Sequence, residues 1–142
     1  MLNVAYEGFK TFGERLQAAF SSTNEPVQRL RVLGDAYARF AFDFPLHYRL
    51  MFMQRIEMLE AEPPEGHERV IDSFGLLLEA VKLAMDAGVV ERRDPRAISA
   101  LLWSALHGIV SLSFTQPIIT RAEAEQLVAW HLQLFERGLR PE

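Results

Sequence analysis

The stretch from residue 100 to residue 114, ALLWSALHGIVSLSF, is apolar around its whole circumference when wound as a helix, yet it holds Trp103, His107 and Gly108 in that order. A helix that is hydrophobic on every side has to be covered on every side, so other helices must pack around it. Its start is marked by Asp94 and Pro95, a capping carboxylate followed by a ring preset for the first turn. At about 100° per residue, Ala97, Ala100, Ser104, Gly108 and Ser111 form a stripe of small side chains, and Trp103, His107 and Phe114 gather about a quarter-turn away. One helix is therefore expected to serve both a close helix contact and a roomier, aromatic space.

The remainder reads as helices with little strand signal. Leu2, Tyr6, Phe9, Gly13, Leu16 and Phe20 step by threes and fours, predicting an amphipathic helix over about 2–20. Asn24 or Glu25 caps a second helix that has Pro26 in its first turn, with Val27, Leu30, Leu33, Tyr37, Phe40, Ala41 and Phe44 inward. Pro45–Phe52 is too dense in large residues for a solvent loop and predicts a short helix. Residues 54–66 carry Pro63-Pro64 and read as a linker. A long helix is predicted over about 66–87, with Val70, Ile71, Phe74, Leu77, Leu78, Val81 and Met85 inward and Gly88 as its stop. Gln116-Pro117 ends the apolar helix, and Thr120 with Glu123 forms a capping box for a last helix over about 121–137 that stops at Gly138. The inward face of that helix is read as Ala124, Leu127, Val128, His131, Leu134 and Phe135. The expected fold is an all-α, single-domain bundle of about six helices over residues 1–142.

Composition narrows the function. The chain is 49% hydrophobic and 24% charged, as befits a folded core rather than disorder. Its net charge is −4 and its 15 cationic side chains are scattered, which disfavours a grip on nucleic-acid phosphates by this chain alone. With no cysteine, disulfides and thiolate metal sites are excluded, and a reducing cytoplasm is the default setting. The longest apolar run is broken by His107 and serines and reads as short for a membrane span.

No catalytic constellation emerges. There is no Gly-x-Ser-x-Gly turn, no phosphate-cradling glycine loop and no dinucleotide fingerprint. A non-enzymatic protein without a cofactor is expected. His47 and His67 have no partners at metal-ligand spacing, and Glu65-Gly66-His67-Glu68 reads as a helix start rather than a metal site. His131 shares a side with Leu127 and Phe135 and reads as a core or interface histidine. His107 has two readings: a buried histidine bonded to a backbone carbonyl, or a polar anchor in an otherwise apolar cavity. Phe40, Phe42, Phe44, Tyr48, Met51, Phe52 and Met53 either form plain core or wall a plastic cavity.

The last two helices carry surplus apolar surface, Trp130 and Leu132 included. Two such hairpins related by a two-fold axis would make a four-helix interface; alternatively, the earlier helices cover all of it in a monomer.

Taken in order, Glu25-Pro-Val-Gln-Arg-Leu30, Phe44-Pro-Leu-His-Tyr-Arg-Leu-Met-Phe52, Asp94-Pro95 and Leu102-Trp-Ser-Ala-Leu-His-Gly-Ile-Val-Ser-Leu112 resemble the C-terminal domain of TetR-type transcriptional repressors, in particular the subgroup with a Trp…His-Gly helix. The resemblance covers nearly the whole chain. It implies that the early helices enclose an effector cavity and that the last two build a homodimer. Trp103 and His107 match the subgroup motif, and Pro45, Tyr48 and Phe52 match the short helix bordering the cavity. The family places a three-helix DNA-binding domain ahead of this region, so DNA contact is expected only through a domain outside this chain. Helix faces then nominate Leu16, Phe40, Tyr48, Phe52, Phe74, Leu78, Trp103 and His107 as ligand-binding. Ala100, Ser104, Gly108, Ser111, Leu127, Trp130, His131 and Leu134 are the expected dimer contacts. The expected partners are an apolar or amphipathic small-molecule effector and a second copy of the chain, with no membrane. The competing reading is a stand-alone all-α protein-interaction module with no cavity.

Overall fold

Local chemistry sets the helix boundaries of the computed structural model, which describes residues 2–53 and 72–142. In chain order the helices are α1 (Leu2–Ser21), α2 (Pro26–Asp43), α3 (Pro45–Phe52), α4 (Ser73–Asp86), α5 (Pro95–Thr115) and α6 (Arg121–Gly138). The carboxylate of Glu25 accepts from the Val27 and Gln28 amides to open α2. Asp94 does the same for α5 through Arg96 N at 3.0 Å, and Thr120 for α6 through Glu123 N at 3.1 Å. Each cap satisfies an amide that the first turn leaves without an intrahelical partner. Gly88, at φ +75°, ends the turn after α4 in a left-handed conformation that a side chain would resist. The helix predicted over about 66–87 instead opens at Ser73, because Asp72 is extended and its carboxylate caps Gly75 N at 2.9 Å. The linker over 54–66, His67, and the inward positions Val70 and Ile71 lie outside the described residues.

Helix α2 packs against each of the other five helices. Its buried face, centred on Leu33, Tyr37, Phe40 and Ala41, is the spine of the bundle. Gly34 permits the closest approach: a Cβ there would sit 2.8 Å from Leu132 Cδ1 on α6. The α1–α2 corner is locked by Arg29, which is buried and donates to Phe20 O at 3.0 Å, Thr23 O at 2.7 Å and Asn24 Oδ1 at 3.2 Å. A buried guanidinium persists only when its donors are met, and here they also satisfy carbonyls at the end of α1. On α1 the inward stripe is Ala5, Phe12 and Leu16, so the face is rotated from the predicted one and centres on Phe12.

Helix α5 turns Ile98, Leu102, Leu106 and Val110 into the core. At 21 residues it is long and apolar enough, by length and composition alone, to cross a membrane, a test that the core helix of a bundle also meets. Within the bundle it packs instead against α2, α4 and α6. The small-residue stripe does not carry that packing: Ser104 is exposed, and Ala100, Gly108 and Ser111 are half-buried on the outward side.

Helix α6 carries two apolar stripes, and two of the residues read from sequence change sides: Leu132, expected as surplus surface, is buried, and Leu134, expected inward, is exposed. Ala124, Val128, His131 and Leu132 are buried inward, whereas Trp130 and Leu134 are 53% and 69% exposed. His131, expected as a dimer contact, is buried in the core of the bundle. Its ring stands edge-on to Phe135 at 4.5 Å, and its Nε2 is buried without a protein partner. Burial pushes its pKa down, against a smaller opposing effect of the hydrogen bond its ring donates to the Leu102 backbone.

Candidate ligand cavity

All six helices contribute to a cavity of about 360 Å³. Helix α1 supplies Phe9, Phe12 and Leu16, and α2 supplies Leu30, Leu33, Gly34 and Tyr37. Phe52 closes the α3 side, while Phe74 and Leu77 of α4 face Leu102, Trp103 and Leu106 of α5. Leu132 of α6 completes the wall, and Asp72 and Ser73 stand at the start of α4. The volume is typical of small-molecule sites, as is a wall that is mostly apolar with few polar groups.

The rings explain why the space stays open. Phe12 meets Tyr37 and Phe52 edge-on at 5.7 and 5.4 Å, and Trp103 meets Phe52 and Phe74 at 6.1 Å each. Each such edge-to-face pair is worth about 0.5–1.5 kcal/mol beyond area burial. Rings braced against one another cannot fold into the gap as flexible side chains would.

Behind this wall lies a polar trio. The hydroxyls of Tyr37 and Tyr48 are 2.7 Å apart, and His107 Nδ1 lies 3.1 Å from the first and 2.8 Å from the second. Tyr37 and Tyr48 are buried, and burial is the main reason that both phenols are pushed far above the ordinary tyrosine range. The neighbouring Tyr48 raises Tyr37 further, and a hydrogen bond with the Trp103 side chain pulls it slightly back. His107 is half-buried and its pKa is lowered by desolvation, so the trio is neutral at physiological pH.

Of the residues nominated from helix faces, Leu16, Phe52, Phe74 and Trp103 stand on the cavity wall. Phe40, Tyr48, Leu78 and His107 do not. Phe40 backs Phe12 at 5.1 Å, Tyr48 and His107 back Tyr37, and on α4 the wall turns toward Leu77 rather than Leu78. His107 takes neither of the roles read from sequence: its hydrogen-bond partners are tyrosine hydroxyls, not a backbone carbonyl, and it stands behind the wall residues Tyr37, Phe52 and Trp103 rather than on the wall. Sequence reasoning missed Phe12, Tyr37, Leu102 and Leu106 as wall residues. The available signal was their i, i+4 spacing beside Gly34 and Trp103, on faces that converge only in three dimensions. Among the described residues no cluster of three metal-ligating side chains occurs.

Residues 30–135 match the family described as tetracyclin repressor-like, C-terminal domain, and the chain belongs to that family. In fold it is similar to a solved protein of unknown function from Rhodococcus sp. RHA1, with a TM-score of 0.78 and 24% identity over 99% of this chain and 72% of the other. No curated protein matches the chain in sequence.

Proposed function

We propose that this chain is the effector-sensing and homodimerisation domain of a TetR-like transcriptional repressor, acting in the cytoplasm, in which ligand binding alters the DNA affinity of an N-terminal helix-turn-helix domain. The observation that carries the reading is the cavity of about 360 Å³, braced by aromatic rings in a domain of this family. A solid interaction module has no use for such a space, which forfeits packing contacts along its whole lining. The exposed apolar face on α5 and α6, with Leu101, Leu112, Trp130 and Leu134, supports the pairing of two copies. A guest pressing on Leu102, Leu106 and Leu132 acts on the same two helices that present that face. Coupling between two such sites is typically about 1–3 kcal/mol, and each 1.4 kcal/mol is roughly tenfold in operator affinity.

The test is a thermal-shift and native mass-spectrometry screen of small apolar and amphipathic compounds. A ligand at about 100 times its Kd stabilises the fold by about 2.7 kcal/mol. Absence of any bound or stabilising compound, together with a monomeric mass in sedimentation, would refute the sensing domain.

A further inference from the structure

The cavity wall is mostly apolar, and Tyr37 is the wall residue that carries the polar trio, so the chemistry at Tyr37 restricts the guest. Among the described wall residues no Arg, Lys or His occurs, so none of them compensates a buried anion. The one acidic residue among them, Asp72, is exposed and caps Gly75 N. Besides Asp72, the hydrogen-bonding side chains of the described wall are Tyr37, which is buried, Ser73, which is half-buried, and Trp103, which is partly exposed and hydrogen-bonded to Tyr37.

The trio gives Tyr37 an adaptable role. With His107 Nδ1 unprotonated, Tyr48 donates to it and Tyr37 donates to Tyr48, which leaves on the Tyr37 oxygen one lone pair beyond the hydrogen bond it shares with Trp103. With the proton on Nδ1, the relay runs the other way and the Tyr37 O–H is released to donate. One buried hydroxyl can therefore meet either a donor or an acceptor without any charge appearing.

We propose that Tyr37, beside Trp103 and positioned by Tyr48 and His107, selects a neutral and mostly apolar guest bearing one hydroxyl or carbonyl group, and rejects carboxylates of the same shape. This rests on the sensing-domain reading above. For size, an apolar cavity of about 150 Å³ holds one benzene, so the present volume suits about 14 non-hydrogen atoms.

The experiment compares three matched probes, naphthalene, 2-naphthol and 2-naphthoate, by calorimetry and thermal shift at neutral pH, with decane, 1-decanol and decanoate as a flexible second set. In the wild type the alcohol is expected to bind about tenfold more tightly than its hydrocarbon, with the carboxylate weakest. Tyr37→Phe brings the alcohol down to the hydrocarbon's affinity and leaves the hydrocarbon unchanged. Equal binding of alcohol and hydrocarbon, or tightest binding of the carboxylate, overturns the selectivity while leaving the sensing domain standing. Failure of all six probes overturns both. The wild-type ranking decides the matter even if the Tyr37 variant does not fold.

Discussion

On one flank of α5, Leu102, Trp103 and Leu106 border a void shared with all five other helices. On the opposite flank Ser104 and Gly108 look outward, joined by Leu101 and Leu112 and by Trp130 and Leu134 of α6. The first region keeps space by bulk, with aromatic rings wedged edge to face. The second keeps space by the lack of bulk: a Cβ added at Gly108 would meet nothing within 4 Å. Emptiness inside a fold and openness on its surface thus come from opposite ends of the side-chain size scale. Each leaves room for a different kind of partner.

Substitutions on each side separate the two. The largest effect is expected at Phe40, which is fully buried against Phe12 and Phe44 and stands behind the cavity rather than on it. Phe40→Ala should cost about 3–5 kcal/mol of stability in denaturant titration. A cost under about 1 kcal/mol would mean that the solid part of the core lies elsewhere. Gly108→Trp tests the open flank. It should leave the thermal midpoint nearly unchanged and weaken self-association by about 100-fold, or about 2.7 kcal/mol, in sedimentation. An unaltered dimer would remove the small-residue stripe from the interface. Phe74→Trp, on the cavity wall, should change the affinity of bound apolar compounds by about tenfold with little loss of stability. If every compound binds as before, Phe74 does not touch the guest.

The smallest effect is a pH dependence. His107 and His131 are both held below the ordinary histidine pKa by burial. The unfolded chain therefore takes up protons first as pH falls through the ordinary histidine range, and stability declines with it. The decline levels off below the folded-state values. Replacing both histidines by glutamine should flatten the slope in that window; an unchanged slope would mean that neither histidine sets it.

Much of this was legible in the sequence where chemistry is local. Glu25, Asp94 and Thr120 cap helices because a short acceptor before an apolar run has one good use, and Gly88 stops the chain where positive φ is needed. Leu16, Phe52, Phe74 and Trp103 were placed on the wall from helix faces alone. What periodicity cannot give is the distance between facing helices. That is why Phe40, nominated for the wall, stands behind Phe12, which the predicted α1 face omits, and why the trio of Tyr37, Tyr48 and His107 was invisible: its members are separated by as many as 70 positions. Helix α6 misled for a related reason. Its two apolar stripes adjoin, and a wheel without neighbours puts Leu134 inward and Leu132 outward, the reverse of what the fold shows.

The close approach at Gly34 has a mechanical consequence. Leu132 lies within 2.8 Å of where a Cβ would stand on that residue, so α2 and α6 touch almost backbone to side chain. Leu30, Leu102 and Leu132 also border a second, smaller void of about 30 Å³ on their far side. These three leucines thus form a thin septum with slack behind it. A molecule too bulky for the main chamber can gain room by pushing the septum back, and α6 then bears the displacement because Gly34 leaves α2 nothing softer to compress.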